Sequence, residues 1–101
     1  MYKFMLKAKT LIKTCTYAPS QWEGITEDGK SFYIRCRWGN LILNISEKES
    51  TNVDDAIKGI TIFEKNISDK YDGLLNIQDI KEILSEIIDL SIKETLNEIS
   101  F

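Results

Sequence analysis

The sequence predicts an α+β domain: an antiparallel sheet of about five strands packed by a C-terminal helix over residues 77–98. Three observations carry this. Two turn signals, Asp28-Gly29 and Trp38-Gly39-Asn40, cut residues 21–45 into three short runs rich in β-branched and aromatic residues. From Ile77 onward apolar residues recur every three or four positions, as on one face of a helix. A length of 101 residues, with 43% apolar and 29% charged residues and a single proline, fits one globular domain over 1–101.

Residues 3–17 alternate loosely and read as one or two N-terminal strands, with a bend near Lys9-Thr10 and a stop at Ala18-Pro19-Ser20. Gln21–Thr26, Ser31–Trp38 and Leu41–Ile45 form a three-stranded meander, and Ser46–Thr51 is its polar exit. Asn52, with Asp55 three residues on, caps a short helix over Val53–Lys58 that ends at Gly59, where left-handed geometry is common. Ile60–Phe63 is a strand, and Asn66–Gly73 is turn-like. Asn76 is an N-cap for the last helix, whose apolar residues Ile77, Ile80, Ile83, Leu84, Ile87, Ile88 and Leu90 share one face. Beyond Leu90 the stripe rotates to Ile92, Leu96 and Ile99, which makes these three residues the expected contact of a homodimer or other partner.

Composition excludes more chemistry than it selects. The chain has no histidine, so it can build no Ser-His-Asp or Cys-His relay and no histidine metal site. The segment Ser68–Asp79 resembles a calcium loop in placing Gly73 sixth and Asp79 twelfth, but Ser68 stands first and the cation Lys70 third. A metal-free loop is the reading there, and no cofactor is expected. Cys15 and Cys36 read as free buried thiols rather than a disulfide. Lysines interrupt the N-terminal apolar residues, and no apolar run reaches the ~20 residues of a membrane span, so the expected setting is the cytoplasm.

Charge is divided along the chain. Residues 1–51 carry eight Lys/Arg and five Asp/Glu; residues 52–101 carry five and eleven, which together give the net −3. Both arginines of the chain, Arg35 and Arg37, fall in one predicted strand. Period-two alternation sets Tyr33, Arg35 and Arg37 on one face and Phe32, Ile34, Cys36 and Trp38 on the other. A row of two guanidiniums and a phenol suits a phosphate or carboxylate, because each guanidinium offers a planar fork of donors. Trp22 and Trp38 are candidate stacking platforms or core anchors. Glu23, across the hairpin, either belongs to that site or pairs with the arginines to fix register.

The string Gln21-Trp22-Glu23-Gly24, Thr26, Asp28-Gly29, Tyr33-Ile34-Arg35, Arg37-Trp38-Gly39, Leu41 resembles one found in small uncharacterised bacterial and phage proteins. Asp72-Gly73 leading into the last helix is similar to a later part of those chains, so the resemblance spans about half of this one. It transfers no catalytic residue. It implies that the hairpin is a defining feature, which favours a ligand role for Tyr33, Arg35 and Arg37.

The expected function is therefore a small non-enzymatic protein that binds an anionic, nucleotide-like ligand through Arg35, Arg37, Tyr33, Trp22, Trp38 and Glu23. In a phage setting it would be a counter-defence protein that sequesters a nucleotide signal. The alternative is a protein-protein inhibitor or immunity-type protein whose acidic second half, with Asp54, Asp55, Asp69, Asp72, Asp79, Glu82, Glu86 and Asp89, meets a basic partner or imitates nucleic acid.

Overall fold

The computed structural model describes residues 6–15, 20–67, 77–92 and 95–96. The expected meander is present as β3 (Ser20–Ile25), β4 (Ser31–Arg37) and β5 (Asn40–Ile45), paired antiparallel in sequence order. The β3–β4 turn is a looser loop than a two-residue Asp-Gly hairpin. Gly29 alone takes a positive φ, and its amide closes the turn on the Thr26 carbonyl at 3.0 Å. The β4–β5 turn is the tight one: Trp38 and Gly39 both have positive φ, 56° and 76°, as in a two-residue type I′ hairpin.

The N-terminal signal resolves into β1 (Leu6–Lys7) and β2 (Ile12–Cys15), separated by the expected bend. β2 pairs antiparallel with β3. On the other side of the meander β6 (Ile60–Asn66) pairs antiparallel with β5 and runs three residues past the expected Ile60–Phe63. β2 to β6 thus form the five-stranded antiparallel sheet that the sequence predicts.

Between β5 and β6 lies the short helix α1 (Val53–Ile57), started by the Asn52 side chain accepting from the Asp54 amide at 2.9 Å. Gly59 follows it but has no positive φ; glycine is needed there because a Cβ would come within 2.1 Å of the Ile45 carbonyl oxygen.

The C-terminal element departs most from expectation. Helix α2 covers Ile77–Ile83, not residues 77–98. After a turn the chain becomes β7 (Ile88–Asp89), parallel to β1, and β8 (Thr95–Leu96) then adds a sixth, parallel strand beside β2. The Leu6 and Ala8 amides donate to the Ile87 and Asp89 carbonyls, both at 3.0 Å. Those bonds hold Ile88-Asp89 as a strand after the turn at 84–87, although the apolar spacing there suits a helix equally well.

The core lies on one face of the sheet. Trp22, Phe32, Ile34, Leu41 and Leu43 alternate inward from β3, β4 and β5 and meet Ile80, Leu84, Ile88 and Leu90 from the C-terminal segment. Ile92 is half-buried against the same cluster, so it is engaged within the chain rather than set on a helical stripe for a partner. The Leu96 backbone pairs with Lys13, and Ile99 lies outside the described residues.

Candidate functional site

The opposite face of the sheet carries Gln21 and Glu23 from β3, Tyr33, Arg35 and Arg37 from β4, and Asn40, Ile42 and Asn44 from β5. α1 divides it. The Ser31 hydroxyl donates to the Asn52 carbonyl at 2.9 Å, and the Asn44 amide donates to the Ile57 carbonyl at 3.2 Å, which ties both ends of the helix to this face. The Thr61 hydroxyl donates to Asn44 Oδ1 at 2.7 Å, so the tether reaches β6 as well.

Under α1 the face is closed. Tyr33 sits between Ser31 and Arg35 and is only 7% exposed, so its phenol is withdrawn from the ligand row that alternation predicts. Glu23, directly opposite Tyr33, is half-buried there. Its burial raises the carboxyl above the ordinary 4.5, and the Asp54 carboxylate at the start of α1 adds to the rise. Glu23 makes no ion pair with either arginine among the described residues, so the register-fixing pair is not formed. Trp22 lies on the core face, fully buried, with Lys13 Nζ 5.4 Å from its ring centroid. Its indole therefore offers nothing to a ligand, which corrects the expectation that both tryptophans are available.

Beyond α1 the face is open. Arg35 stands between Gln21 and Ile42, and Arg37 is exposed opposite Asn40. Two residues along one strand place their Cα atoms ~6.5 Å apart with side chains on the same side. Neither guanidinium makes an ion pair or hydrogen bond among the described residues, and Arg35 Nε is enclosed with no acceptor. The nearest carboxylate on this part of the face by register is Glu64, opposite Ile42, and it accepts from Asn40 Nδ2 at 2.8 Å. An enclosed guanidinium N–H without an acceptor is uncommon in a folded protein.

Trp38 completes the corner. It follows Arg37 directly, is 87% exposed, and is held at a φ of 56° that a bulky residue rarely adopts. Asparagine or glycine would fit that turn position with less strain. A strained, solvent-facing indole that follows Arg37 in the chain is a surface on which a planar group can stack. Alternation alone misassigned Trp38, placing it with the core residues; the positive φ turns it out of the strand pattern.

The other candidates are dispersed. Asp54 and Asp55 occupy the first turn of α1, and Asp79 that of α2, where carboxylates favour the helix dipole. Ser91, through its hydroxyl and its amide, holds the Asp89 carboxyl below its ordinary 3.8, helped by Lys7 and Lys81. Glu82 and Glu86 are exposed, while Asp69, Asp72 and most of the calcium-like segment, 68–76, lie outside the described residues. Cys36 is a free thiol, half-buried, and burial pushes its pKa up, which disfavours a reactive thiolate. The Cys15 side chain is outside the described residues.

A hollow of about 370 Å³ opens at the far end of β5 from Asn40, lined by Glu47, Glu49, Asp55, Lys48 and Lys58 among others. Its mixed charges give no field of one sign. No helix among the described residues is long and apolar enough to cross a membrane. No family model, curated protein or solved structure matches the chain, so the site stands on its own geometry.

Proposed function

We propose that this chain is a small non-enzymatic binding protein that grips an anionic, nucleotide-like ligand at the open corner formed by Arg35, Arg37 and Trp38. The observation that carries the proposal is the pair of arginines along β4 beyond α1, neither of which pairs with a carboxylate among the described residues. A phosphate held between the two guanidiniums neutralises two charges that no carboxylate among the described residues pairs with. Trp38 gives the ligand a face to stack on, and Gln21 and Asn40, opposite the two arginines, add neutral donors at the rim. The site is a shallow corner of a sheet rather than a cleft. That suits binding better than a reaction that must exclude water, and the absence of histidine removes the usual proton shuttle at neutral pH.

Isothermal titration calorimetry with a panel of nucleoside mono-, di- and triphosphates and cyclic nucleotides, with inorganic phosphate as the control, tests this. Binding of at least one nucleotide by the wild type is expected, and the double variant Arg35→Ala, Arg37→Ala should lose it while keeping the wild-type circular dichroism spectrum. No heat from the folded wild type with any member of the panel sinks the proposal.

A further inference from the structure

Opposite charges share the open part of the sheet without pairing. By register Arg35 lies opposite Ile42 and Ile42 opposite Glu64, so the guanidinium and the carboxylate belong to one face, two strands apart. With neighbouring strands ~4.8 Å apart, their backbones are roughly 10 Å from each other, and the half-buried Ile42 lies between them. Asn40 is the cross-strand partner of Arg37 on one side and of Asn66 on the other, which makes Glu64 its diagonal neighbour on β6. The Asn40 side chain donates from Nδ2 to Glu64 Oε2 at 2.8 Å, so both side chains stand on this face. A carboxylate accepts about four hydrogen bonds and donates none. Glu64 is exposed and spends one of those positions on Asn40, which leaves an acceptor-only group at the surface.

We infer that Glu64 reads the base of the ligand, and that the base is guanine. The inference rests on the reading of Arg35 and Arg37 as a phosphate site. A mononucleotide lying across the strands with its phosphate at β4 carries its base over Ile42 toward β6. Ile42 gives the ring an apolar floor, and the Trp38-Gly39 turn joins β4 to β5 at the same end of the sheet. At β6 the base edge meets a group that can only accept. Guanine presents two donors side by side on its Watson–Crick edge, N1–H and the N2 amino group, and these match the two oxygens of a carboxylate. Adenine sets one amino group beside the acceptor N1, and cytosine sets one beside the acceptor N3. Either base would hold a lone pair against the carboxylate and make one hydrogen bond in place of two. A free nucleotide is the occupant rather than a base within a nucleic-acid strand, because the net charge of −3 and Glu64 itself oppose a polyanion.

Calorimetry on the full chain with guanosine, inosine and adenosine monophosphates, for the wild type and for Glu64→Gln, tests the inference. The wild type should bind the guanosine nucleotide at least about tenfold tighter than the adenosine nucleotide, as one bidentate contact to a base edge provides. Inosine monophosphate keeps N1–H and lacks the amino group, so it should fall between the two. Glu64→Gln replaces one acceptor by a donor, an edge that suits adenine, and the guanine preference should vanish or reverse. Loss of a negative charge strengthens the binding of every phosphate alike, so the ratio of affinities is the readout and a merely structural role for Glu64 would not move it. Circular dichroism checks that the variant folds, as expected at an exposed position. A mixed-sequence single-stranded RNA should bind more weakly than guanosine monophosphate, and tighter binding would overturn the choice of a free nucleotide. Nucleotide binding without a guanine preference, or a preference that Glu64→Gln retains, overturns this inference and leaves the arginine corner standing. No heat from any nucleotide removes both.

Discussion

Replacing Trp38 by asparagine should stabilise the protein, against the usual direction of a point substitution. Trp38 holds a φ of 56° in the first central position of a type I′ turn. A left-handed backbone costs an ordinary residue about 1–2 kcal/mol, and asparagine is among the residues that bear it best. Against this stands whatever the indole buries. With 87% of the residue exposed, about an eighth of a tryptophan surface is hidden, or roughly 30 Å². At ~25 cal/mol per Å² that contributes no more than about 0.8 kcal/mol. The difference favours asparagine by about 0.5 kcal/mol, a rise of roughly 2–4 °C in Tm for a chain of this size. Urea unfolding followed by circular dichroism gives the free energy directly, and the slope m should not change. The same variant should lose nucleotide binding, so stability and binding move in opposite directions. A loss of more than about 1 kcal/mol would mean that Trp38 packs in a structural role and is not held out for a ligand.

Two further outcomes test the parts of the fold that frame the site. Glu23→Gln should raise Tm at pH 7 and lose that advantage as pH falls through the raised folded pKa toward the ordinary 4.5. The raised carboxyl makes ionised Glu23 a cost in the folded state above its folded pKa, and that cost is absent once folded and unfolded chains are both protonated. An advantage that grew on acidification would contradict the burial of Glu23 beneath α1. Leu84→Ala, at a fully buried position just past α2, should cost about 2–5 kcal/mol in urea unfolding, and a cost under 1 kcal/mol would show that the C-terminal segment does not close the core.

Local chemistry made much of this legible in the sequence. Asn52 before Val53 and glycine at positions 29 and 39 act through backbone preferences within a few residues, so α1 and both turns fell where expected. Period-two alternation put Arg35 and Arg37 on the face away from the core. Contacts between distant residues were not legible. Tyr33 shares the arginine face but is closed over by a helix whose tethers span 21 and 13 residues, from Ser31 and from Asn44. The strand β7 likewise depends on amides from Leu6 and Ala8, some eighty positions upstream. The rotation of the apolar stripe near Leu90 predicts a partner surface on a helix reaching residue 98, whereas the helix ends at Ile83.

The two tryptophans permit a direct test of the Arg35, Arg37, Trp38 corner as the binding surface, because one is fully buried and the other almost fully exposed. Trp22 should emit at shorter wavelength and Trp38 near the wavelength of tryptophan in water, so the red part of the spectrum reports the corner alone. Titration with the nucleotide that calorimetry selects should quench the red component and leave the blue one intact, and Arg35→Ala with Arg37→Ala should abolish the quenching. Quenching of the blue component alone, or red quenching that survives loss of both arginines, would place the ligand elsewhere and contradict the account.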